Sequence, residues 1–155
     1  MDVRLRDATN DDIPALAHVI AAAFEGHRSR LTPPSSSLDK SPESVKQELQ
    51  TAKALVACKG DKTIGCVFYS PREDFVYLAH LAVLPNYRGL GIAKALMQEV
   101  EMKTLEAGFT KVRLSVRLAL EKTRAFYERL GYTFYSYGTH PGFTEPTHVT
   151  LEKRL

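Results

Sequence analysis

The stretch VLPNYRGLGIAKAL, Val83 to Leu96, holds the residues whose types and spacing could do chemistry. An apolar run stops at Pro85, Gly89 and Gly91 follow Arg88, and an amphipathic pattern begins. The first turn of a helix leaves N–H groups unpartnered and carries the positive end of the dipole, so an anion fits there. Close approach needs residues without bulk, which Gly89, Gly91 and Ala93 supply, and Arg88 adds a formal charge. Three readings compete. A triphosphate P-loop needs four residues between Gly and Gly-Lys-Ser/Thr. Here Lys94 precedes Ala95, no hydroxyl is placed for magnesium, and that reading fails. A dinucleotide fingerprint fits Gly89 and Gly91, but its third position is Lys94 and a turn separates it from the strand, so it is set aside. A pyrophosphate cradle fits the residues, and a tight turn that binds nothing fits the spacing equally well.

The elements that must hold this turn are legible from periodicity. Val3 to Arg6 alternates apolar and charged and predicts a strand. Thr9 to Asp12 offers caps and Pro14 suits a first turn, after which Ile13, Leu16, Ala17, Ile20, Ala21 and Phe24 share one helical face. Gly26 to Ser37 reads as a loop, and Ser41-Pro42-Glu43 starts a helix running to about Thr51. ALVACK and TIGCVFY flank Gly60-Asp61 as a hairpin. Phe75 to Leu84 is apolar enough for a central strand covered on both faces. A helix from about Gly89 to Ala107 carries the stripe Ile92, Ala93, Leu96, Met97 and Val100, with Gly108 as its stop. KVRLSV is a strand, Glu121 to Leu130 a helix closed by Gly131, and YTFYSY and THVTLEK finish as strands. The order β-α-α-β-β-β-α-β-α-β-β makes strands 75–84 and 111–117 parallel through a right-handed crossover. The expectation is an α+β fold: a mixed, mostly antiparallel sheet with a central parallel βαβ unit and helices on both faces, forming one domain over 1–155.

Bulk composition excludes several function classes. The 155 residues carry a net charge of +3, from 21 basic and 18 acidic side chains, too small and evenly spread to point to nucleic acid or a membrane. No apolar stretch is long enough to span a bilayer, and the N-terminal residues contain no apolar signal core. Cys58, Cys66 and five scattered histidines show no metal spacing. The expectation is a cytoplasmic protein with reduced thiols, no bound metal, and no nucleic-acid or membrane partner.

Arg88-Gly89-Leu90-Gly91-Ile92-Ala93 resembles the Arg/Gln-x-x-Gly-x-Gly/Ala motif of the GNAT superfamily, the acyl-CoA-dependent N-acyltransferases. AFYERLGY, Ala125 to Tyr132, is similar to that family's second signature, a helix carrying tyrosine and ending in Leu-Gly-Phe/Tyr. The element order is similar too, so the resemblance covers nearly the whole chain. It implies acetyl-CoA as co-substrate, a sheet splayed between its two central parallel strands, and a pantetheine arm lying in the gap. By the same resemblance, Leu81, Ala82 and Val83 would bind the arm through their backbone. Arg88, Gly89, Leu90, Gly91, Ile92, Ala93 and Lys94 would hold the pyrophosphate, largely through N–H groups. Tyr127 would be the catalytic acid that protonates the departing thiolate, a small uphill step for a phenol of pKa ~10 against a thiol of roughly 8.5.

The chain departs from the family pattern twice. The asparagine that many relatives carry before the tyrosine falls at about Leu120 here, and their strand glutamate falls at Tyr77. Glu73, His80, water or no dedicated base remain open for the amine's proton. The resemblance implies an acceptor pocket from Phe24 to Ser37 and YGTHPGFTEPT, segments dotted with His27, Arg28, Arg30 and His140, and the basic residues of the first loop favour an acceptor that bears an anionic group. The leading expectation is acetyl transfer to a primary amine of a small molecule or peptide, in a monomer or homodimer. A non-catalytic acyl-CoA sensor is the alternative, and a dinucleotide-binding protein a lesser one.

Overall fold

In the computed structural model, which describes residues 2–155, the chain runs β1 (Arg4–Asp7), α1 (Ile13–Phe24), α2 (Pro42–Glu48), β2 (Lys53–Lys59), β3 (Lys62–Pro71) and β4 (Val76–Val83). It continues as α3 (Ile92–Glu106), β5 (Lys111–Arg117), α4 (Glu121–Arg129), β6 (Thr133–Gly138) and β7 (His148–Arg154). This is the expected order of helices and strands. The seven strands form one sheet in the order β1-β2-β3-β4-β5-β7-β6, with β4 and β5 parallel and the other neighbours antiparallel. No helix among the described residues is long and apolar enough to cross a membrane.

The stripe on α1 buries Ile13, Leu16, Ala17 and Ile20 as expected, together with Val19 and Ala23, while Ala21 and Phe24 are half-buried. Leu16 and Ile20 are fully enclosed, each contributing roughly 1.5–3 kcal/mol by leaving water. On the other face of the sheet, α3 buries Ile92, Leu96, Met97 and Val100. A side chain at Gly65 would come within 3.4 Å of Ile92 Cγ2, so a glycine on β3 lets α3 lie close.

Several boundaries differ from the sequence expectation, most by one residue. The first strand is shifted one residue, to Arg4–Asp7. α2 ends at Glu48, and residues up to Thr51 continue as turns bonded back to Glu48. α3 starts at Ile92 rather than Gly89, because Gly89 and Gly91 take left-handed φ of +79° and +82°, which an α-helix cannot continue through.

Two features of β4 position the site. Its pairing with β3 slips between Cys66 and Phe68, so that Phe68 faces Ala79 while Cys66 faces Ala82. The extra residue is a bulge at His80, whose φ is +52°. Its pairing with β5 stops after three positions, Val76↔Val112, Tyr77↔Arg113 and Leu78↔Leu114. From Ala79 onward the edge of β4 facing β5 has no strand partner, while β5 runs on to Arg117 paired with β7. The sheet is therefore split, as the family resemblance implied.

Candidate active site

Two cavities of about 370 and 580 Å³ lie along this split and share Phe24, Leu81, Leu120, Thr123 and Tyr127. The larger reaches the glycine turn. There the main-chain N–H groups of Gly89, Leu90, Gly91, Ile92, Ala93 and Lys94 have no acceptor among the described residues, the first bonded one being Ala95 N–H to Gly91 O at 3.0 Å. Six consecutive free donors at a helix start form an anion-binding concavity. A side chain at Gly89 or Gly91 would meet nothing within 4 Å, so the turn is open to a ligand and the glycines are needed for their φ.

Arg88 lines the larger cavity and is also tied into the fold. Its guanidinium donates to Ala23 O at 2.7 Å and to Val83 O at 3.3 Å, tying the end of α1 to the end of β4. With Arg88, Lys94 and Lys122 are the exposed cations lining the larger cavity.

Tyr127 is the one buried residue of α4 and lines both cavities. No described residue accepts from or donates to its hydroxyl. Burial, with Tyr77 nearby, pushes the phenol well above its ordinary pKa. α4 is fixed at its C-terminal end by Gly131 at φ +98° and by Tyr132, which is buried, donates to Glu101 Oε2 on α3 at 2.9 Å, and stacks edge-on against Tyr127. The Leu-Gly-Tyr signature thus orients the catalytic candidate from outside the cleft. Leu120, where relatives carry asparagine, presents an apolar wall to both cavities.

The smaller cavity takes in His140 but none of the first loop's basic residues. Arg28 is exposed and paired with Glu25, Arg30 is exposed, and neither lines a cavity; His27 faces the larger one. The basic side chains lining the smaller cavity are Arg117, His80, His140 and His148, and Ser35, Ser36 and Ser37 line it too. Arg117 donates to Pro33 O at 2.6 Å and Pro34 O at 3.2 Å, which pins the irregular loop against β5. Gly138 leaves room for the His148 ring, which would come within 2.0 Å of a Cβ placed there. Glu73, one of the open base candidates, is exposed in the β3–β4 turn and lines neither cavity, whereas His80 and Tyr77 line the smaller one. Glu48, which bonds His80, gave no signal in the sequence because it lies 32 positions away on another element.

A family model described as acetyltransferase (GNAT) family matches residues 17–132, most of the chain and all of the split sheet's central elements. The chain belongs to the GNAT acetyltransferase family. Solved structures agree on the fold. PaiA N-acetyltransferase of Thermoplasma acidophilum, solved with coenzyme A, is 19% identical over 100% of both chains with a TM-score of 0.82. The ribosomal-protein alanine N-acetyltransferase of Escherichia coli is 18% identical, covering 99% of this chain and 94% of its own, with a TM-score of 0.78. A GNAT acetyltransferase of Elizabethkingia anophelis, solved with acetyl-CoA, is 17% identical over 99% and 98%, with a TM-score of 0.73.

Proposed function

We propose that this GNAT protein transfers an acetyl group from acetyl-CoA to a primary amine of a small molecule or peptide, by direct attack while both are bound. One observation carries the reading: six free N–H groups, the bare edge of β4 and the Tyr127 side chain open onto one continuous cleft. The N–H run suits a pyrophosphate, and Lys94 and Lys122 add charge at its rim. The unpaired edge at Leu81, Ala82 and Val83 suits the amides of a pantetheine arm, which would lie there as an added strand does. An N–H near Val83 would stabilise the oxygen of the thioester carbonyl as it gains charge. The relatives solved with coenzyme A and acetyl-CoA support the same co-substrate.

Tyr127 would donate the proton that the leaving thiolate needs. Burial raises its phenol well above the ordinary value. A thiolate leaving into the same dry cleft would be raised by burial as well, which favours its protonation.

The test is release of free thiol from acetyl-CoA with a panel of acceptors: spermidine, kanamycin, phenethylamine, glutamate and a short peptide. Turnover with one of them is the expected result. Tight acetyl-CoA binding without turnover on any amine would favour the sensor reading instead.

A further inference from the structure

We infer that His80, held by Glu48 and flanked by Ser37, is the base that takes the proton from the incoming amine. The inference rests on the acetyl-transfer reading and supplies the proton acceptor it lacks. The geometry begins with the bulge. A non-glycine residue at φ +52° is strained and persists only where its surroundings enforce it. Bulges beside active sites re-aim side chains. This one turns the His80 ring edge-on to Phe68 at 5.2 Å, toward α2 and onto the wall of the smaller cavity.

There the imidazole is tied by one nitrogen and open at the other. Nε2 lies 2.8 Å from Glu48 Oε2, and the other Glu48 oxygen is paired with Lys40. With the Nε2 proton donated to the carboxylate, Nδ1 keeps its lone pair, and its sole hydrogen-bonding neighbour is the Ser37 hydroxyl at 3.5 Å, too long a contact to hold it. A carboxylate that orients a histidine also stabilises the imidazolium once the proton arrives.

The surroundings keep the resting ring neutral. From α2 and the loop before it, Glu48 and Lys40 face the ring. From β3, the Cys66 thiol contacts the His80 carbonyl and stays neutral because burial raises it. Around the cavity stand Tyr77, Tyr127, Arg117, His140 and His148, and none of the lining residues is acidic. Burial first, and the Lys40 charge second, push His80 down to about 4, so the ring is neutral near pH 7, and the Glu48 carboxylate 2.8 Å from Nε2 is the group that favours the imidazolium as the amine's proton arrives. Glu73, the competing carboxylate, is outside the cavity.

The step balances. The ammonium gives one proton to Nδ1, and its freed lone pair forms the C–N bond to the acetyl carbon. The C–S bond breaks and the thiolate takes a proton from Tyr127. The nitrogen sheds a second proton, which restores Tyr127, and His80 releases the first to water. An ammonium and a thioester become an amide, a thiol and one proton.

The experiment compares wild type with Glu48→Gln and His80→Gly, using the fastest amine of the panel above. Glycine accepts the bulge φ and leaves a space the size of imidazole. Calorimetry with acetyl-CoA checks that each variant binds as wild type does. At about pH 7 both variants should lose kcat by about 100-fold with the KM for acetyl-CoA unchanged. At about pH 10, where much of the amine is already neutral, the loss should shrink at least tenfold. Added imidazole should restore His80→Gly and leave Glu48→Gln unaffected. Variants within threefold of wild type, or a loss that persists at high pH and resists imidazole, would overturn the inference while leaving acetyl transfer intact. No turnover by wild type on any amine would instead remove the reading beneath it.

Discussion

Tyr127 and Cys66 are stripped of water by the same core, yet only the tyrosine faces a cleft. Its hydroxyl has no protein partner, so removing it should leave packing nearly untouched. Tyr127→Phe should bind acetyl-CoA as wild type does and release thiol about 100-fold more slowly. Equal turnover would move the acid role elsewhere. Arg88 gives the opposite expectation. Because it bonds Ala23 O and Val83 O, Arg88→Ala should lower thermal stability and loosen the coenzyme site together, rather than delete one phosphate contact. The sequence offered Tyr127 through its motif and the glycines through their type. It could not offer Glu48, Ser37 or Arg117, because their roles come from contacts 32, 43 and more than 80 positions apart that no local pattern encodes. Arg28 and Arg30 misled for the same reason: a charge in a loop says nothing about which way it points.

At the scale of elements, two helix starts do different work. Before α1, Asp12 accepts from Arg6 Nη1 and Nη2 at 2.7 and 2.8 Å and from Thr9 N–H at 2.8 Å, stapling the helix start to β1. The Arg6 hydrogen bonds hold the Asp12 carboxyl below its usual range, with the Thr9 N–H helping. A group whose pKa falls on folding stabilises the native state above its unfolded value and loses that contribution as pH drops through the folded one. Asp12→Asn should therefore cost about 1–2 kcal/mol in urea unfolding near neutrality, with the gap closing below about pH 4. Before α3 the start is left open instead. Gly91→Val should destabilise by about 1–2 kcal/mol because of its φ, and should weaken acetyl-CoA binding beyond what that loss explains. Normal affinity in a folded Gly91→Val protein would mean that the diphosphate binds elsewhere. Helices and strands were legible because periodicity 3.6 and 2 leave plain marks at Ile13–Phe24 and Lys111–Arg117. The bulge at His80 was not, since its cause is register against β3, which no local pattern encodes.

At the scale of the whole molecule, the split sheet makes two bodies meet through a narrow seam. β1 to β4 lie on one side and β5, β7 and β6 on the other, joined by three residue pairs between β4 and β5. A ligand lying along Ala79 to Val83 on one side and against α4 on the other would bridge them. Anything that binds the native state and not the unfolded chain adds RT ln(1 + [L]/Kd), about 2.7 kcal/mol at a hundredfold excess over Kd. At roughly 2–4 °C per kcal/mol for a chain of this size, saturating acetyl-CoA should raise Tm by about 5–10 °C. NAD offers a pyrophosphate but no pantetheine arm to pair with the β4 edge. It should therefore give a much smaller shift, which separates the glycine turn's contribution from that of the split. Equal shifts from the two would mean that the open edge contributes nothing, and no shift from either would leave the six free N–H groups without a ligand.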